Sequence, residues 1–131
     1  MKTGVTRLFV CTSCRRAAPS TAEGFDLPGV DLARRLEPLL PPEDGIAVTP
    51  VECLAVCKRP CTIALAADGK WTYLIGDLDP AAHAEEIASA TRAFAQSENG
   101  IVPWRERPLT FRRGVIARVP PLWFRIPEAA E

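Results

Sequence analysis

Apolar and polar positions along this chain alternate in two distinct rhythms. Residues 7–11 (RLFVC) form a short apolar, partly β-branched run ended by polar residues, the pattern of a buried strand. Leu32, Leu36, Leu39 and Leu40 recur at the spacing of one helical face, so the pattern predicts a helix over 32–40. Asp31 stands where an N-cap would, Pro38 falls inside the pattern, and Pro41-Pro42 ends it. Residues 45–51 (GIAVTPV) read as a second strand, with Pro50 placing its end at an edge or bend. Two further β-rich runs, 62–66 (TIALA) and 71–75 (WTYLI), flank Asp68-Gly69 and predict a hairpin. Within the second run, Trp71, Tyr73 and Ile75 share one face, which core packing explains. Asp79 as N-cap and Pro80 at the first helical position open a helix rich in Ala and Glu over 81–96.

The element order is therefore β-α-β followed by β-β-α. It matches an α/β thioredoxin-like fold, with a central mixed sheet carrying helices. Residues 1–98 would form this domain. Residues 99–131 hold many prolines and scattered arginines, and read as an extended C-terminal arm rather than a second domain. Trp104, Trp123 and Phe124 in that arm suit docking on the chain's own body or on a second subunit, as a homodimer.

Composition narrows the class. The 131 residues suffice for one domain, and 47% hydrophobic with 24% charged residues is ordinary for a globular chain. No apolar run approaches a membrane span, and the N-terminus lacks a long apolar core of a signal peptide, so the expected setting is cytoplasmic with no membrane partner. A net charge of +0 gives no electrostatic case for nucleic acid. The charge is uneven, however. Residues 1–100 carry 10 Lys and Arg against 13 Asp and Glu, and the remainder carries 6 against 3. A basic tail can fold over the acidic body or meet an acidic partner.

The chemistry lies in the cysteines, five of them, which is many for a reducing compartment and odd in number for a disulfide framework. Cys11 and Cys14 form one local pair; Cys53 and Cys57 form another, separated from the first by 38 residues. In the expected fold both pairs leave one end of the sheet, so that four sulfurs meet. Four thiolates suit Zn²⁺ or an iron–sulfur cluster. No phosphate loop, Ser/His/Asp set or paired-carboxylate motif is present. His83, in the first turns of the second helix, reads as a surface histidine.

The stretch IAVTPVECLAVCKRPCTIALAADGKWTYLIGDLDP, with LFVCTSC at the start, resembles the thioredoxin-like [2Fe-2S] ferredoxins. The resemblance covers about residues 5–97. More narrowly, CKRPCTIAL, GKWTYLIGDLDP and PWRERP resemble an uncharacterised bacterial group of predicted metal-binding proteins, which often occur with cobalamin-biosynthesis functions. The resemblance implies a one-electron carrier, not an enzyme, with a redox partner protein. It implies Cys11 as first ligand and Cys53 and Cys57 as third and fourth. The second ligand is Cys14, or Cys61 as the alternative, since Cys14 stands closer to Cys11 than the family's second ligand does. Arg15, Arg16, Lys58 and Arg59 flank these thiols and would tune the potential or dock an acidic partner. Zinc binding or metal delivery on the same fold is the alternative. A thiol–disulfide oxidoreductase built on Cys11-Thr12-Ser13-Cys14 is a further one, but it lacks a helix start directly after the motif and leaves three cysteines unexplained.

Overall fold

The computed structural model describes residues 5–13, 16–17, 25–56 and 58–125, with the main chain alone at 16–17 and 25–26. Its first strand, β1 (Thr6–Cys11), shows why the apolar run forms a strand: Leu8 and Val10 are fully buried, while Arg7 before them is exposed and Phe9 between them is half-buried. Two short strands follow, β2 (Arg16–Ala17) and β3 (Phe25–Asp26), paired antiparallel.

Helix α1 spans Pro28–Leu36. It starts and ends earlier than the leucine spacing implies. Pro28 occupies the first turn, where its missing N–H costs nothing. Asp31 is not the cap; it lies in the first turn and pairs with Arg35 one turn on, at 3.1 Å. The helix stops two residues before Pro38, and Leu39 and Leu40 continue the apolar face from a turn. A left-handed Gly45 (φ 75°) then leads into β4 (Ile46–Val51).

Strands β5 (Ile63–Ala66) and β6 (Thr72–Ile75) form the expected hairpin, turning through Gly69 at φ 74°. Helix α2 (Pro80–Gln96) begins as expected, the Asp79 carboxylate accepting the Ala81 N–H at 3.0 Å.

Residues beyond Asn99 do more than form an arm. A short helix, α3 (Leu109–Arg113), leads into β7 (Val115–Val119), which pairs antiparallel with β6 and completes a five-stranded mixed sheet in the order β4-β1-β5-β6-β7. Phe111 and Val102 are buried with the core of β1, β5, β6, α1 and α2. Each such fully buried large side chain contributes about 1.5–3 kcal/mol. The chain's end also docks on its own body: the Phe124 ring meets Trp71 edge-on at 5.2 Å, and the Arg118 guanidinium lies 4.7 Å from the Trp71 ring centre. Among the described residues no helix is long and apolar enough to cross a membrane.

Candidate metal centre

β1 and β4 are neighbours and run parallel, with Cys11 opposite Val51. Both strands therefore end at one edge of the sheet. The junction is tied: the Thr12 N–H and the Thr12 hydroxyl both donate to the Val51 carbonyl, at 2.9 and 3.0 Å. Cys53 follows two residues after β4, so the loops carrying Cys11 and Cys53 leave from the same place. This much of the expected convergence comes directly from the parallel register.

The two thiols differ in setting. Cys11 is fully buried and its sulfur lies 4.0 Å from the Ser13 hydroxyl. Helix α1 crosses right against it: a Cβ on Gly29 would sit 1.7 Å from the Cys11 carbonyl oxygen. Cys53 is exposed, and its sulfur accepts the Ala55 N–H at 3.2 Å across a tight turn in which Ala55 takes φ 63°.

Cys61 is fully buried just ahead of β5. Its N–H donates to the Leu78 carbonyl at 3.2 Å, and its carbonyl accepts the Leu78 N–H at 3.1 Å. The next residue, Thr62, accepts the Cys11 N–H at 3.0 Å. The main chain thus places Cys61 one residue from the partner of Cys11, on the same strand-end as the Cys11 loop. Cys14, Arg15 and Cys57 lie outside the described residues, and only the main chain of Arg16 is described. Among the described residues no three His, Cys, Asp or Glu side chains gather around one point.

The basic residues are not equivalent. Lys58 is exposed. Arg59 is held by Asp77, its Nη2 at 2.6 Å and its Nε at 2.8 Å from the same carboxylate oxygen. The Arg59 carbonyl also accepts the Asp77 N–H at 3.1 Å and the Thr62 hydroxyl at 3.0 Å. Asp77 was not singled out by sequence. Its signal was local: a Gly-Asp pair between a strand and a capped helix, with Asp77 in the left-handed region at φ 60°. His83 is not a plain surface histidine either. It is half-buried, and its Nδ1 accepts the Asp79 N–H at 2.9 Å.

A family model described as "Protein of unknown function (DUF1636)" matches residues 8–121. The chain belongs to the DUF1636 family. The matched part of this DUF1636 chain runs from β1 through β7, so it includes the strand contributed by the C-terminal segment. No curated protein matches the DUF1636 chain by sequence.

Two solved structures resemble it. One is a thioredoxin-like [2Fe-2S] ferredoxin from Aquifex aeolicus, with a TM-score of 0.52 at 20% identity, covering 93% of this chain and 100% of that one. The other is the wild-type thioredoxin-like [2Fe-2S] ferredoxin from Aquifex aeolicus, with a TM-score of 0.54 at 18% identity, covering 88% and 99%. At such identities the shared property is the fold, and the DUF1636 chain has the thioredoxin-like α/β fold of these ferredoxins.

Proposed function

We propose that this DUF1636 protein is a one-electron carrier holding a [2Fe-2S] cluster, not an enzyme in its own right. The reading rests on the parallel β1–β4 register, which brings the Cys11 and Cys53 loops to one edge of a thioredoxin-like sheet. The donors present fit such a group: thiols are the ligand type an iron–sulfur centre takes. Cys11, Cys53 and Cys57 would hold it as first, third and fourth ligands, with Cys14 as the second and Cys61 as the alternative.

A bound cluster supplies reversible one-electron chemistry at thiolate sulfur and iron. The chain's own residues set its terms. The Ala55 N–H, donating to Cys53 sulfur, draws negative charge from that ligand and favours the reduced form. The packing of α1 over Cys11 keeps water from that side of the loop. Arg59 is largely neutralised by Asp77, which leaves Lys58 as the exposed cation of the described turn and the contact for an acidic redox partner.

Iron and acid-labile sulfide assays, with visible and paramagnetic-resonance spectra, on anaerobically isolated protein test this. Equal iron and sulfide with a red-brown colour are expected. Colourless protein carrying zinc and no sulfide would move the assignment to a zinc-binding protein of the same fold. Cys53→Ser and Cys57→Ser should lose most of the cluster. Loss in Cys61→Ser with retention in Cys14→Ser would make Cys61 the second ligand.

A further inference from the structure

A second site lies between the start of α2, the Gly76-Asp77 turn and the end of α3. There the protein forms a half-open pocket of about 260 Å³. That is smaller than the roughly 300–1,000 Å³ of pockets for drug-sized ligands, so its occupant is a small metabolite. Two glycines bring its walls together. The Gly76 N–H donates to the Gly114 carbonyl at 2.8 Å, and a Cβ on Gly114 would lie 2.7 Å from the Gly76 oxygen. The main chains can approach this closely only without side chains.

The polar groups around the cavity have unused bonding capacity of both signs. His83 accepts the Asp79 N–H through Nδ1, so in the neutral ring Nε2 carries the hydrogen and is a donor with no partner among the described residues. Arg113 lines the same cavity and has no ion-pair or hydrogen-bond partner among the described residues. Opposite in sign, Glu86 accepts the Thr110 N–H and hydroxyl, at 3.3 and 2.8 Å, both at Oε1. Its Oε2 is uncommitted among the described residues. Asp77 likewise holds Arg59 through Oδ2 alone, leaving Oδ1. Leu109 adds an apolar surface.

A simple anion would meet two carboxylates here, and a simple cation would meet a guanidinium. Only a ligand carrying both charges a short distance apart answers every open group. We propose that this cavity binds a small zwitterion of the amino-acid type. Arg113 and His83 Nε2–H take its carboxylate, Glu86 and Asp77 take its ammonium, and a short apolar side chain lies against Leu109. A charged hydrogen bond lost from such a site costs about 1.5–3 kcal/mol, which corresponds to about tenfold or more in affinity.

Titration calorimetry on the full chain tests this with L-leucine, L-threonine and L-phenylalanine as probes. Two truncated analogues, 4-methylpentanoate and 3-methylbutylamine, each lack one charge of leucine. Leucine should bind, and about tenfold or more tightly than either of its analogues, with threonine and phenylalanine setting the side-chain preference. Arg113→Gln, an exposed position, should weaken amino-acid binding about tenfold and leave 3-methylbutylamine unaffected. Arg105→Gln, outside the cavity, should change nothing. Binding of none of the three amino acids overturns the proposal. So does equal binding of leucine and either analogue, or full binding in Arg113→Gln.

Discussion

The Tyr73 hydroxyl oxygen accepts the Val102 N–H at 3.1 Å, in the fully buried core. Through this bond a central strand of the sheet holds the segment that the sequence presents as a loose tail. Arg107 reinforces it, donating to the same hydroxyl at 3.2 Å and to the Val102 carbonyl at 2.8 Å. Tyr73→Phe keeps the ring and its edge contact with Phe94 but leaves a buried N–H without a partner. A stability loss of about 1–3 kcal/mol is expected, read from the urea unfolding midpoint. An unchanged midpoint would show that the Val102 segment does not depend on Tyr73.

That bond also explains where sequence reasoning stopped short. β1, β4, β5, β6 and α2 carry their signals locally: alternation, an Asp-Gly turn, an Asp-Pro start. β7 does not. Val115–Val119 is short and follows several prolines, and its pairing partner β6 lies some forty residues earlier, so only the folded sheet identifies it. α1 was displaced because Asp31 mimics a cap, whereas Pro28 and the Gly29–Cys11 contact set the true start. At the candidate centre, the strand periods were enough to bring Cys11 and Cys53 to one edge. They could not show that Arg59 is held by Asp77, or that His83 is committed to Asp79. Both depend on side chains meeting across turns, with no sequence period to announce them.

The Gly29–Cys11 contact gives a second test. A methyl group on Gly29 meets main-chain atoms, which cannot rotate aside as a flexible side chain can. Gly29→Ala must push α1 off the end of β1. We expect a loss at the upper end of the roughly 1–3 kcal/mol usual for overpacking, or beyond it. Gly69→Ala is a useful contrast, because only the Trp123 ring lies near and at an ordinary contact distance. Its cost comes from φ 74° alone, about 1–2 kcal/mol. Chemical unfolding of the two variants side by side measures the difference.

Removing the α2 cap is a more local change. Asp79→Ala deletes the acceptor for the Ala81 N–H while leaving Pro80 at the first position. The expected cost is about 0.5–2 kcal/mol. Asp79→Asn keeps an acceptor and should recover most of it. Thermal unfolding followed by far-ultraviolet circular dichroism reads both.

Lys70 carries a pH signature. Burial pushes its ammonium below the ordinary lysine value of 10.5, although it donates to the Phe94 and Ala95 carbonyls at the end of α2, at 3.2 and 2.7 Å. The folded chain then releases this proton at a lower pH than the unfolded chain does. Between the two values the unfolded state binds more protons, so the Lys70 contribution to stability rises with pH across that window. The penalty is present in full at neutral pH and is relieved toward 10.5. Denaturant midpoints from neutral pH upward should rise for the native protein relative to Lys70→Gln. A parallel pair of curves would remove the assignment.

The Arg59–Asp77 pair allows the electrostatics of the proposed centre to be tested without touching a thiol. Both side chains are substantially exposed, so the pair itself contributes little to stability, about 0–1 kcal/mol. Its effect on charge is larger, because Asp77 cancels a cation beside the Cys53–Cys61 turn. Asp77→Asn keeps a residue that tolerates φ 60° and removes only the negative charge. The uncompensated Arg59 then favours the more negative, reduced form of a bound cluster. The reduction potential should rise by an amount on the order of 20 mV, the equivalent of about 0.5 kcal/mol for one electron through partly screened surroundings. The shift should shrink as salt is added, because exposed charges are screened. Arg59→Gln in the native background removes the cation and leaves Asp77 bare, so it should move the potential the other way. Protein-film voltammetry of the two variants gives the sign directly, and a shift of the same sign in both would rule out a Coulombic role for the pair.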